Sequence, residues 1–256
     1  MTHVTTGLQR LEHVMGMPIT IDVRDDIDPA ALDAAFDWLR WVDATFSTYR
    51  PESEISRIAR GELSPAAAHP EVRQILQRSD DLKYDTEGYF DIDAGGSLDP
   101  SGVVKGWSVD RAGRILERAG ADNYAVYAGG DIRLRGRPDG ESEWRVGIQH
   151  PLVRDKIAAV VVGTDLAVAT SGEYERGTHI YDPHSGEPPS GLLSVTITGP
   201  DLATADAYAT AAFAMGERAV SWITRIYRYE AMLITADRQV LSTAQFPKED
   251  ERLPLE

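Results

Sequence analysis

The 256-residue chain contains no cysteine. That excludes disulfides, thiolate metal sites and a cysteine nucleophile. Basic residues are scarce: 26 Lys and Arg stand against 41 Asp and Glu, a formal net charge of -15. Such a surface repels nucleic acid and anionic membranes, so neither is an expected partner. An anionic substrate then needs a local positive site or a metal. No hydrophobic run approaches membrane-spanning length, and Met1 to Val14 holds no apolar run of signal-peptide length. A cytoplasmic protein is the expectation. There is no repeat of fixed period and no linker rich in Pro, Gly or Ser. What is present is a core: 42% of the residues are hydrophobic, enough for one large domain or two small ones.

Loose apolar alternation over 8 to 24, as in Met17, Ile19, Ile21 and Val23, predicts a first strand preceded by Met15-Gly16. Asp28-Pro29 opens a helix running to about Thr45, with Leu32, Phe36, Leu39 and Val42 on its apolar face. A short helical turn over Ser53 to Ile58 and a helix over Pro70 to Glu87 follow. Strands are expected at Tyr124 to Ala128, Ile157 to Gly163, Leu166 to Ala169 and Leu193 to Thr198. Thr170-Ser171-Gly172 reads as a break. Ile132 to Gly136 and Trp144 to Gln149, separated by Pro138-Asp139-Gly140, read as a hairpin. Thr204 to Gly216 is an alanine-rich helix, Ala219 to Arg225 another, and Ala231 to Leu241 a final hairpin. The sum is an α+β unit with largely antiparallel or mixed sheets packed with helices.

The densest chemistry lies between Phe90 and Gly106. A polar, glycine-rich loop containing Asp99 and Lys105 runs into a helix whose apolar positions begin at Trp107 and which closes at Gly120. Free N–H groups, glycine turns and one lysine at a helix N-terminus suit a phosphate. The same pattern also fits a turn before an ordinary helix, and no GxxxxGK[ST] spacing is present. Asp206 and Thr210 stand one turn apart on a helix of small residues. They suit Mg²⁺, or they simply serve the helix: Asp206 through its dipole, Thr210 by bonding a carbonyl one turn back. His179 and His184 flank Asp182-Pro183, where a histidine could take a proton or merely decorate a turn.

Taken in order, these pieces resemble the ApbE family of FAD:protein FMN transferases. They are Met15-Gly16, the run Phe46 to Ser56, Gly88-Tyr89-Phe90-Asp91 and the run Asp99 to Asp110. Then come Ala128-Gly129-Gly130-Asp131, Ala169-Thr170-Ser171-Gly172, the run His179 to Gly186, and Ala205-Asp206-Ala207-Tyr208-Ala209-Thr210 with Met215-Gly216. The resemblance covers roughly residues 12 to 216. It implies a single domain over 1–256, with an acidic, loose tail from about 248. It implies a magnesium site of Asp206, Thr210 and the carbonyl of Gly102. It implies FAD contacts at Met15, Tyr49, Asp99, Lys105 and Ile180, with Tyr49 and Ile180 on one pocket. The implied reaction passes FMN from FAD to a Thr or Ser hydroxyl of a target protein and releases AMP, with His179 the candidate base. Hydrolysis of FAD to FMN and AMP, or FAD binding without chemistry, are the alternatives. Two departures from the family pattern stand out. Only Ile92 to Leu98 separates the Phe-Asp motif from the Asp-Pro-Ser-Gly loop, and Ala203 occupies a position where some members carry an acid.

Overall fold

The computed structural model describes residues 7–172 and 180–249. Strand β1 (Leu8–Val14) returns as β2 (Met17–Val23), so the single strand expected over 8 to 24 is a hairpin, with Val14 opposite Met17. Its two-residue turn is Met15-Gly16, with φ of 54 and 73. That left-handed pair matches the twist of the flanking strands, and glycine supplies half of it without strain. Helices α1 (Ala30–Phe46), α2 (Glu54–Ala59) and α3 (Pro70–Asp85) follow. Next are α4 (Ser101–Arg118) and strands β3 (Tyr124–Ala128), β4 (Asp131–Arg135), β5 (Trp144–Gln149), β6 (Ile157–Gly163) and β7 (Leu166–Gly172). Strand β8 (Leu192–Gly199), α5 (Leu202–Met215), α6 (Ala219–Ile223), β9 (Glu230–Thr235) and β10 (Val240–Ser242) complete the order.

Among the described residues, eight strands form one sheet in the order β1-β2-β3-β4-β7-β8-β9-β10, each antiparallel to its neighbour. Both faces of this sheet are covered, and the period-2 alternation of its strands shows how. Tyr124, Val126, Ala231 and Leu233 point into the main core beneath the helices. Their neighbours Ala125, Met232 and Ile234 point into a second core. That second core is closed by the separate β5–β6 pair, which contributes Trp144, Val146, Ile148 and Val161. Helix α5 is buried almost all round, because it lies between the sheet and α4. Alanines make that position possible.

Three expectations are corrected here. Strands β4 and β5 are not a hairpin. Both edges of β4 are occupied, by β3 and β7, so β5 pairs with β6 instead. The turn at Pro138-Asp139-Gly140 exists, with Asp139 accepting from the N–H of Glu141 and Ser142, but it joins two sheets. Thr170-Ser171-Gly172 does not break β7; the ladder runs on through Thr170–Thr196 to Gly172–Ser194. At the C-terminal side, Glu249 donates to Val160 and Val162 donates to Pro247. The chain at 248 is therefore tied to β6. No described helix is long and apolar enough to cross a membrane.

Candidate active site

Helix α4 begins at Ser101, not after the glycine-rich stretch. Gly102, Lys105 and Gly106 therefore lie within its first two turns, and Lys105 is a helix side chain rather than part of a phosphate loop. Asp99 is exposed and accepts from the N–H of Ser101 at 3.0 Å, so a carboxylate occupies that donor at the helix start. The preceding Ile92 to Leu98 stretch is closed on itself by a bond from Asp99 N–H to the Ile92 carbonyl, 2.8 Å.

The glycines of α4 set its distance from α5. A Cβ on Gly106 would stand 2.5 Å from the carbonyl carbon and oxygen of Leu202 and 2.6 Å from the nitrogen of Ala203. Only glycine allows so close a crossing. One turn further on, Asp110 accepts from the N–H of Leu202 at 2.9 Å and of Ala203 at 3.2 Å, capping α5 from the neighbouring helix. Burial pushes its carboxyl up to about 6, against the opposing pull of Arg133. The second cap, Asp201, accepts from Thr204 N–H at 2.9 Å, from the Tyr229 hydroxyl at 2.6 Å and from Arg78. Burial alone would raise its carboxyl, but these donors and the Arg78 charge hold it below the usual carboxylate range.

This close crossing brings separate motifs together. A Cβ on Gly102 would lie 3.9 Å from Oγ1 of Thr210, so the first turn of α4 faces the third turn of α5. Lys105 Nζ lies 2.6 Å from Oδ2 of Asp131 and 3.4 Å from Oδ1 of Asp206. Asp131 is fully buried and Asp206 nearly so. The other oxygen of Asp131 accepts from Thr170 N–H at 3.2 Å. Thus the Gly-Gly-Asp and Ala-Thr-Ser-Gly stretches meet at one carboxylate, which the lysine bridges to Asp206. Asp131 escaped notice in the sequence as a charged site residue; its signal was the glycine pair before it, which reads equally as a bulge. Gly129 and Gly130, at φ of 54 and 94, form the two-residue β3–β4 turn.

A cleft of about 920 Å³ opens beside the β1–β2 and β3–β4 turns. The register Ile19–Ala128 puts both turns at the same end of the sheet. Met15 and Tyr49 both line this cleft. Met15 holds a left-handed φ without being glycine, as its two-residue hairpin turn requires. Tyr49 is 95% exposed. Ile180 is buried in the main core and is not among the cleft's lining residues. His179 lies outside the described residues. His184 is exposed, bonded through Nε2 to the Glu87 carbonyl and packed edge-on against Tyr89. Among the described residues there is no cluster of three or more His, Cys, Asp or Glu side chains suited to a metal. The set expected for Mg²⁺ needs no such cluster. Its carboxylate, hydroxyl and backbone carbonyl are all hard oxygens, and the Gly102–Thr210 approach brings two of their residues together.

The α+β fold thus crosses two helices at van der Waals limits and collects buried acids, a lysine and hard oxygens at that crossing. The model of the ApbE family matches residues 15–97 and 93–233, and the chain belongs to that family. A FAD:protein FMN transferase of Vibrio cholerae is 37% identical over 130 residues, 47% of this chain and 39% of that protein. One from Escherichia coli K12 is 30% identical over 161 residues, 59% of this chain and 46% of that protein. The chain thus aligns with less than half the length of these relatives. In fold, the ApbE protein of Thermotoga maritima superposes with a TM-score of 0.85 at 22% identity, covering 95% of this chain and all of that one. The flavin transferase ApbE of Vibrio cholerae gives 0.83 at 24%, covering 94% and 98%.

Proposed function

We propose that this protein transfers FMN from FAD to a Thr or Ser hydroxyl of a target protein and releases AMP. The observation that carries the reading is the α4–α5 crossing, where Lys105, Asp131, Asp206, Thr210 and Gly102 converge from motifs far apart in sequence. Family membership and the relatives named FAD:protein FMN transferase support it.

In this reaction the acceptor oxygen bonds to the FMN phosphorus of FAD. The bond from that phosphorus to the bridging oxygen breaks, and AMP departs with the electron pair. Asp206, Thr210 and the Gly102 carbonyl would hold Mg²⁺, which when bound neutralises pyrophosphate charge and eases departure of the leaving group. Lys105 would balance the carboxylates and meet a phosphate oxygen; it pairs with Asp131, which is itself held by the Thr170 N–H. The acceptor's proton needs a base, and His179 is the candidate. Met15 and Tyr49 border the cleft that would take FAD, with Asp99 as a further flavin contact; Ile180, buried in the main core, does not line it. The same machinery with water as acceptor would hydrolyse FAD.

AMP released from FAD is measured across Mg²⁺ concentrations, and covalent flavin is followed on a co-expressed acceptor protein. Asp206→Ala should abolish Mg²⁺-dependent AMP release while circular dichroism stays that of a folded protein, since alanine favours helix. Thr210→Ala should be milder, because a neutral hydroxyl supplies less field than a carboxylate. A folded Asp206→Ala with wild-type turnover and Mg²⁺ dependence would refute the metal site.

A further inference from the structure

Strand β1 is an edge of the eight-stranded sheet, paired with β2 on one side only. Its closing pair is Val14–Met17, across a two-residue turn, and such a pair exchanges both backbone bonds. Pairs alternate along an antiparallel ladder, so Leu8, Arg10, Glu12 and Val14 turn N–H and C=O toward β2. Gln9, Leu11 and His13 turn theirs outward, where they have no partner among the described residues. The usual guards of an edge are missing. No proline, glycine, lysine or register shift interrupts Leu8–Val14, and Leu11 at its centre is 57% exposed. The sheet's opposite edge, β10, is only three residues long.

The residues of β1 are complementary to their own reverse. Lay the strand antiparallel on a second copy, with Leu11 opposite the partner's Leu11. Gln9 then stands opposite the partner's His13, and Arg10 opposite the partner's Glu12. In this register every outward N–H meets a C=O of the other strand. The side chains match as well. Within one copy Arg10 Nη1 bonds Asp33 at 2.6 Å, and Arg40 bonds Glu12. Across the two-fold axis these join into a row of alternating sign: Asp33, Arg10, the partner's Glu12, the partner's Arg40. On the other face the two exposed leucines cover each other. A slip of two residues either way would set Glu12 against the partner's Glu12, or Arg10 against the partner's Arg10, so charge fixes the register.

We propose that β1 is a self-complementary docking edge through which two copies of this chain pair, continuing the sheet across a two-fold axis at Leu11. Met15 lies just past the end of β1, so ideal strand spacing puts it about 27 Å from the partner's Met15. The two clefts therefore open at opposite ends of the shared ribbon. Each copy keeps its own site whole, and the inference stands independently of the FAD reading.

Sedimentation velocity of the full chain, from micromolar to millimolar concentration, should show a reversible monomer–dimer equilibrium. Physiological ionic strength screens the repulsion between two copies of net charge -15. Two double variants at exposed positions test the register. Gln9→Lys with His13→Glu sets opposite charges face to face, twice across the axis. Gln9→Lys with His13→Lys sets like charges there. Their dimer dissociation constants should differ by roughly tenfold, the first being the tighter, with both circular dichroism spectra those of the wild type. The chain has no cysteine, so Leu11→Cys places a single thiol at the axis. Facing Cα atoms there would stand about 5.5 Å apart, within disulfide reach. On mild oxidation it should close a covalent dimer far faster than Tyr84→Cys, an exposed position on α3. A wild type that stays monomeric throughout the range overturns the proposal. So do equal dissociation constants in the two double variants, or a Leu11→Cys chain that crosslinks no faster than Tyr84→Cys, since either result puts any dimer on another surface.

Discussion

Replacing Gly106 by alanine sets two effects of known sign against each other. In the interior of a helix such as α4, alanine in place of glycine favours the folded state by about 1 kcal/mol. Against that, the new methyl would lie 2.5 Å from the carbonyl group of Leu202 and 2.6 Å from the nitrogen of Ala203. These are backbone atoms at the start of α5, and no side chain can swing away to make room. Overpacking of a filled core costs about 1–3 kcal/mol, and more where backbone must move. The shift also stretches the bonds from Leu202 and Ala203 to Asp110, at 2.9 and 3.2 Å, whose loss would leave a buried carboxyl short of donors. Backbone atoms on both sides put the clash at or above the top of that range, so after the helix gain of about 1 kcal/mol we expect a net loss of about 2 kcal/mol or more. For a chain of this size that is a fall in Tm of roughly 4–8 °C or more. Gly95→Ala is the control: its Cβ would meet nothing within 4 Å, and its stability should stay within about 0.5 kcal/mol of wild type. Denaturant titration and calorimetry of the three proteins give the answer. A Gly106→Ala protein as stable as wild type, or more so, would show that α4 and α5 are not in backbone contact.

The Asp110 carboxyl holds its proton to about 6 in the fold against 3.8 ordinarily, so the folded chain binds more protons than the unfolded one between those values. Stability should therefore fall as pH rises through that window, by at most about 3 kcal/mol, and Asp110→Asn should flatten that part of the curve measured by urea unfolding. Lys105→Ala should weaken FAD binding by roughly 1–3 kcal/mol, read by fluorescence titration. Because it strips the counter-charge from buried Asp131 and Asp206, it should also lower stability by about 3–5 kcal/mol; a variant with wild-type melting and affinity would refute both roles.

Much of the fold was legible because its signals are local. Periodicity located α1, α3, β3, β8 and the β9–β10 hairpin, and the small-residue run of α5 announced a buried helix. What failed was pairing. Strand β5 carries a good hairpin signal toward β4, but nothing local says that β3 and β7 have already taken both edges of β4. The sheet that β5 joins is decided by which edge remains free, a property of the whole topology. The α4 boundary failed for a related reason. Gly102 and Gly106 have poor helix propensity in isolation, and only the close approach of Gly106 to α5, invisible in the local sequence, explains a glycine there.

The site shows the same division. The spacing of Asp206 and Thr210 marks them without assigning a role, since it suits the helix's own needs as well as a metal; Lys105 stands out as a lone cation in a polar stretch. Asp131 does not stand out, because its importance comes from burial, and burial of a β4 residue depends on Lys105 arriving from α4 and Thr170 from β7. The lysine's role changes accordingly. Read along the chain, Lys105 is a charge waiting for phosphate. In the fold it stands 2.6 Å from Asp131 and 3.4 Å from Asp206, and any phosphate that meets it does so in competition with two carboxylates. In a protein of net charge -15, that competition has a consequence. On the proposed reading, the ligand's charge would be balanced locally by this ammonium and by a cation held on the hard oxygens of α4 and α5. FAD affinity should therefore rise with Mg²⁺ in the wild type and lose that dependence in Asp206→Ala, while Lys105→Ala weakens binding but keeps it. Titrations of FAD at several Mg²⁺ concentrations separate the two charges, and an identical Mg²⁺ dependence in all three proteins would refute the division of labour.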